Sequence, residues 1–199
     1  MAKSNENEVA FFFRVTSETR QVLLETPSYL IITQSEIQTT ADNGLRVTNR
    51  VRRTEAVESN VSVGTVFECA TKYRFPGKSG DMTSRCLERE FQVSEEEYEL
   101  ALPFGERVYH KRRFCFELEG FECDLDWFVE KESKDFGEWV KLDINVPGEG
   151  LPDSALLKLL SKLPTKGITI ADVINPPGVY NDRIKEAISS LMQNVWNQV

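Results

Sequence analysis

The sequence predicts a mainly β domain: an eight-stranded antiparallel closed barrel with peripheral and C-terminal helices. Three observations predict it. Short segments of alternating apolar and polar residues, bounded by turn signals, recur through residues 8–146. Few helical stretches interrupt them, which leaves a sandwich or a barrel. The charges on the polar faces then segregate by sign from strand to strand, which suits a lumen, and an eight-stranded barrel has room for side chains or one ligand.

The first strand is Glu8–Val15, followed by a helix over Ser17–Glu25 that Pro27 ends. Tyr29–Thr40 and Arg46–Thr54 flank the Asn43-Gly44 turn. Val63–Phe75 follows a polar loop and stops at Pro76-Gly77; Thr83–Val93 is next. Ser94 with Glu97 three residues on forms a capping box that opens a short helix. Arg107–Glu119 and Phe121–Val129 meet at Gly120 as a hairpin, and Trp139–Val146 closes the series. Residues 1–147 are assigned to the barrel and 148–199 to a helical extension packed on it. The last helix, from about Asn181, carries one apolar stripe of Ile184, Ala187, Ile188, Leu191, Val195 and Trp196.

Composition narrows the function classes. The chain has 199 residues and a net charge of −8, so its general surface is unsuited to duplex DNA. No apolar run approaches the ~20 residues of a membrane span, and the N-terminus has no apolar signal core. Cys69, Cys86, Cys115 and Cys123 form no Cys-x-x-Cys pair, and His110 is the single histidine, which argues against a Cys/His zinc site. These features point to a reducing, cytoplasmic setting.

The strand faces carry the chemistry. Arg50/Arg52, Lys72/Arg74 and Lys111/Arg113 are basic pairs at alternate positions; Glu88/Glu90, Glu122/Asp124/Asp126 and Asp143 are acidic sets on other strands. Any one such strand is most simply a solvated face, but a solvated face more often mixes signs within the strand. Arginine and lysine match phosphate oxygens. Carboxylates tolerate a phosphate only with a divalent cation between them. Mixed walls in one cavity therefore point to metal-assisted phosphate binding. Arg50, Arg52, Lys72, Glu88, Glu90, Lys111, Arg113 and Asp124 are expected to share that cavity, whereas Arg74 and Asp126 fall nearer strand ends, where solvent exposure is expected. His110 is on the apolar-parity face, and Cys86 lacks a histidine partner on its own face.

The motifs Arg50-Val51-Arg52, Ala70-Thr71-Lys72, Arg85 followed by Glu88-Arg89-Glu90, Lys111-Arg112-Arg113 and Phe121-Glu122-Cys123-Asp124 resemble those of the CYTH, or triphosphate-tunnel metalloenzyme, superfamily. The resemblance spans roughly residues 8–146. It implies phosphate ligation by Arg50, Arg52, Lys72, Arg74, Arg85, Lys111 and Arg113. It implies catalytic carboxylates at Glu88 and Glu90, and Mg²⁺ or Mn²⁺ held by Glu8, Glu88, Glu90, Asp124 and Asp143. The substrate class is a triphosphate: inorganic tripolyphosphate, a nucleoside or thiamine triphosphate, or an RNA 5′ end. The two ends depart from the pattern. Ala10 and Phe12 replace a carboxylate and a lysine of the opening Glu-x-Glu-x-Lys, and Asp143-Ile144-Asn145 replaces the closing Glu-x-Glu; Glu6 with Glu8 is an alternative Glu-x-Glu. Two outcomes follow: a metal-dependent triphosphatase, or a tunnel that sequesters a nucleotide or polyphosphate without turnover.

Overall fold

The computed structural model describes residues 6–75, 84–129, 136–146 and 153–173. The strands are β1 (Glu6–Val15), β2 (Ser28–Thr40), β3 (Arg46–Glu58), β4 (Val61–Arg74), β5 (Ser84–Gln92), β6 (Arg107–Leu118), β7 (Phe121–Val129), β8 (Phe136–Val146) and β9 (Ile170–Val173). Helix α1 (Ser17–Glu25) joins β1 to β2; α2 (Glu95–Ala101), extended by a 3₁₀ turn at Leu102–Phe104, joins β5 to β6; and α3 (Asp153–Leu160) follows β8.

Local chemistry explains most boundaries. Thr16 caps α1 by accepting from the Thr19 amide at 3.2 Å, and Thr26 ends it. Ser94 accepts from the Glu97 amide while Glu97 accepts from the Ser94 amide at 2.7 Å, so the capping box forms. The β3–β4 and β6–β7 hairpins each turn on two residues with positive φ, Ser59-Asn60 (51° and 64°) and Glu119-Gly120 (52° and 86°). That backbone twist matches the twist of the flanking strands. The first of these turns replaces the longer polar loop expected between residues 55 and 62, so β3 and β4 both run further than their hydrophobic pattern indicated.

The sheet order is β5-β4-β3-β2-β6-β7-β8-β1-β9, antiparallel throughout. The closed barrel expected from sequence is corrected. The sheet curls until β5 meets β1, but only over Glu6↔Cys86, Asn7↔Arg85 and Glu8↔Ser84. These are the β1–β5 pairs among the described residues, and further along β1 the same edge is taken by β9 at Phe13–Val15. Strand β9 itself was not anticipated: it falls in a stretch of the C-terminal extension expected to be a loop between two helices. The final helix from about Asn181, with Trp196, lies outside the described residues.

The apolar core sits outside the curl. Phe11, Phe13, Val15, Phe114, Leu118, Leu125, Trp127, Val140, Leu142 and Ile144 face Leu23 of α1 and Leu159, Leu160, Leu163 and Ile168 of the α3 region. Trp127 satisfies its indole by donating to the Gly137 carbonyl at 2.8 Å. Thr19 is fully buried and ties α1 to the stretch before β9, donating to the Thr169 carbonyl at 3.0 Å and accepting from its amide at 2.7 Å. This core backs β1 and β6–β8. Among the described residues, α2 is what lies behind β2–β5, and Ile31 and Phe91 on that face remain exposed. The α2 corner approaches β2 so closely that a Cβ at Gly105 would lie 1.7 Å from Ser35 Oγ, which donates to the Leu102 carbonyl at 2.8 Å.

Candidate functional site

Directly opposed residues of antiparallel strands share a face, so the register can be followed around the curl. Glu88 lies opposite Lys72, which lies opposite Thr48; Glu90 lies opposite Ala70, and Ala70 opposite Arg50. Arg50 and Arg52 lie opposite Glu36 and Gln34 of β2. On the other edge of β2, Ile32 and Leu30 lie opposite Lys111 and Arg113. Arg113 lies opposite Asp126, Asp126 opposite Lys141, and Asp124 opposite Asp143. One continuous concave face therefore carries both signs of charge, with the core behind half of it.

On β3–β5 the charges interlock across strands. Arg50 Nη2 donates to Glu88 and, at 2.7 Å, to Glu90. Arg52 Nη2 bonds Glu68 at 2.6 Å and Glu90 at 3.2 Å. Lys72 is 3.6 Å from Glu88, longer than a hydrogen bond. Burial raises the Glu90 carboxyl, but the Arg50 and Arg52 guanidiniums outweigh it and hold the group below the usual range. These side chains are 13–22 % exposed, so water reaches each of them. Arg50 Nε is buried and makes no hydrogen bond among the described residues. Further along the same wall, Arg46 and Arg74 are directly opposed. Burial, and then the Arg74 charge, lower the Arg46 pKa.

On β6–β8 the pairing is tighter. Asp126 is 0 % exposed and accepts from Lys111 Nζ at 2.5 Å, Arg113 Nε at 2.6 Å and Arg113 Nη2 at 2.8 Å. Arg113 Nη1 also donates to Asp124 at 2.8 Å, and Lys141 Nζ to Asp143 at 2.5 Å. Burial alone would raise Asp126; the Lys111 charge and the Arg113 hydrogen bonds prevail and hold it at about 2. Burial pushes the Lys111 ammonium down to about 8 despite its partner, so both remain charged at neutral pH. Burial also disfavours the Arg113 cation, but Asp126 outweighs it and raises that pKa.

Several expectations need correction or completion. Asp126, expected in solvent near a strand end, is the most buried carboxylate described and the hub of its wall. Glu36, Glu68 and Lys141 join the charged face although sequence reasoning gave them no role; only their alternation marked them. Glu8 is placed by its backbone beside Ser84 and Asn145. Arg85 is in register with Asn7, one residue out of phase with Cys86, Glu88 and Glu90. The side chains of Glu8 and Arg85 lie outside what is described. His110 Nδ1 is 3.2 Å from Thr33 Oγ1 on the exposed outer face. Burial, then Asp124, raise the Cys115 thiol to about 12 and the Cys123 thiol to about 11, so neither is a thiolate nucleophile at neutral pH.

Among the described residues, no three Asp, Glu, His or Cys side chains form a metal-ligand cluster, and no helix is long and apolar enough to cross a membrane. The donor chemistry nonetheless fits a hard cation. Glu88 and Glu90 are neighbouring carboxylates, and magnesium is commonly held by one or two carboxylates with phosphate oxygens and water completing its shell. A groove of about 260 Å³ beside α2 is lined by Ser35, Glu36, Arg50, Val51, Phe91 and Phe104 among others, so it borders Arg50 of the charged cluster.

No protein family model and no curated protein matches the chain. Solved structures do. An adenylyl cyclase candidate from Hippeastrum, described as having a dominant triphosphatase activity, is 13% identical with a TM-score of 0.47, over 92% of this chain and 95% of that one. An adenylate cyclase candidate from Bacillus halodurans is 16% identical with a TM-score of 0.49, over 87% and 96%. The Mediator head module of Schizosaccharomyces pombe matches at 11% and 0.42, over 81% and 93%. At TM-scores below 0.5, none of the three bears weight for the site or its chemistry.

Proposed function

We propose that the curled sheet binds the phosphate chain of a triphosphate-bearing small molecule or RNA 5′ end and hydrolyses it with Mg²⁺ or Mn²⁺. The observation supporting this is the single face on which arginines and lysines alternate, strand by strand, with carboxylates. Such a face is costly to build unless its charges are used, since each buried ion loses hydration. Arg50 and Arg52 offer forked donors to phosphate oxygens, and Lys72 a point charge. An arriving phosphate would compete with Glu88 and Glu90 for these cations, leaving the two carboxylates to hold a metal ion. When bound, that ion would neutralise phosphate oxygens and acidify a coordinated water. Glu90 would orient the attacking water by accepting its hydrogen bond. A cytoplasmic setting accords with the unpaired Cys69, Cys115 and Cys123.

A second reading, capture without turnover, is favoured by β1. There Ala10 and Phe12 stand opposite Asp143 and Lys141, where the resemblance calls for a carboxylate and a lysine. One screen separates the two: phosphate release from tripolyphosphate, nucleoside triphosphates and thiamine triphosphate with Mg²⁺ or Mn²⁺. Release dependent on the metal and lost in Glu88→Gln supports hydrolysis. Calorimetric binding without release supports capture. Neither binding nor release sinks both.

A further inference from the structure

We infer that Asp126 is a resident counter-anion that withdraws Lys111 and Arg113 from the ligand, so that the phosphate chain is held by the β3–β5 wall alone. The inference rests on the phosphate-binding reading above and assigns its two walls different work. Motif resemblance alone would put Lys111 and Arg113 on the phosphate. Their geometry points elsewhere. Asp126 already accepts one hydrogen bond from Lys111 and two from Arg113, at 2.5–2.8 Å, and is sealed from solvent. A carboxylate holding two cations in this way does what a phosphate would do. Displacing it would leave a buried anion without partners, which a water-excluded site strongly disfavours.

No acceptor of the opposite wall is sealed as Asp126 is: Glu68, Glu88 and Glu90 are 18–22 % exposed. Arg50 Nε is a buried donor with no acceptor among the described residues, a condition that favours an added oxygen.

Calorimetry with tripolyphosphate in EDTA, so that no hydrolysis intervenes, tests the division. Arg52→Ala is expected to weaken binding at least ten-fold. Lys111→Met, which leaves Asp126 paired with Arg113, is expected to change affinity less than three-fold while lowering the melting temperature. Equal losses in the two variants would overturn the inference while leaving the phosphate-binding reading intact. Absence of binding in the wild type would overturn that reading and the inference with it. Asp126→Asn supplies the readout that a purely structural role would not move. It uncovers two cations, so tripolyphosphate should raise its melting temperature by more than it raises that of the wild type. An equal or smaller rise counts against the inference. Where Asp126→Asn does not fold, the Lys111→Met comparison decides.

Discussion

The β6–β8 wall and the β3–β5 wall are made of the same ingredients, yet burial gives them different properties. Lys111, Asp126 and Asp143 have the apolar core behind them and are 8 %, 0 % and 5 % exposed. Glu68, Glu88 and Glu90 lie in front of strands that, among the described residues, α2 partly covers, and they remain 18–22 % exposed. Coulomb attraction strengthens and exchange with water becomes costlier as solvent is excluded. The Lys111–Asp126–Arg113 cluster is thus fixed by its sealed acceptor, whereas the second wall is a set of pairs whose acceptors can trade partners. Charge pattern alone does not distinguish ligand-binding residues from structural ones; the layer behind the strand does.

The largest expected effect breaks the fixed wall. Asp126→Ala leaves Lys111 and Arg113 buried without their shared acceptor, and about 3–5 kcal/mol of stability should be lost in urea unfolding. Glu68→Ala removes a part-exposed partner of Arg52 on the other wall, and a loss of about 1 kcal/mol or less is expected in the same assay. A loss from Glu68→Ala equal to that from Asp126→Ala would erase the contrast.

Acid sharpens it. The Asp126 carboxyl is lowered from 3.8 to about 2 in the folded protein. A depressed carboxyl stabilises above its unfolded pKa and loses that contribution as pH falls through the folded one. The stability difference between wild type and Asp126→Asn should therefore be constant above pH 5 and shrink between about pH 4 and pH 2. A difference independent of pH over that range would mean that Asp126 is not held ionised by its neighbours. The smallest effect is the control: Arg53, 46 % exposed and 2.9 Å from Glu55, should cost under ~0.5 kcal/mol as Arg53→Ala.

The elements were largely legible because their signals are local. Alternation, the Asn43-Gly44 turn, the Ser94–Glu97 box and the Ser17–Glu25 helix are each set by neighbours in sequence. Membership of the charged face was legible for the same reason, since Arg50, Lys72, Glu88 and Asp124 follow strict period-two parity. Depth was not. Asp126 looked terminal because its own strand is short; its burial comes from long β6 opposite and the core behind. The β1–β5 seam and β9 were equally out of reach, since each depends on which of two strands wins one stretch of the β1 edge. Arg85 shows the limit of motif matching, being one residue out of phase with the carboxylates it was grouped with.

The most direct test of the division between walls is side-chain NMR of the arginine Nε–H groups as tripolyphosphate is added. The Arg50 and Arg52 signals should move, with Arg50 Nε shifted most as its vacant donor gains an oxygen, while the Arg113 signal, locked on Asp126, stays where it is. An Arg113 shift as large as that of Arg50 would contradict the account.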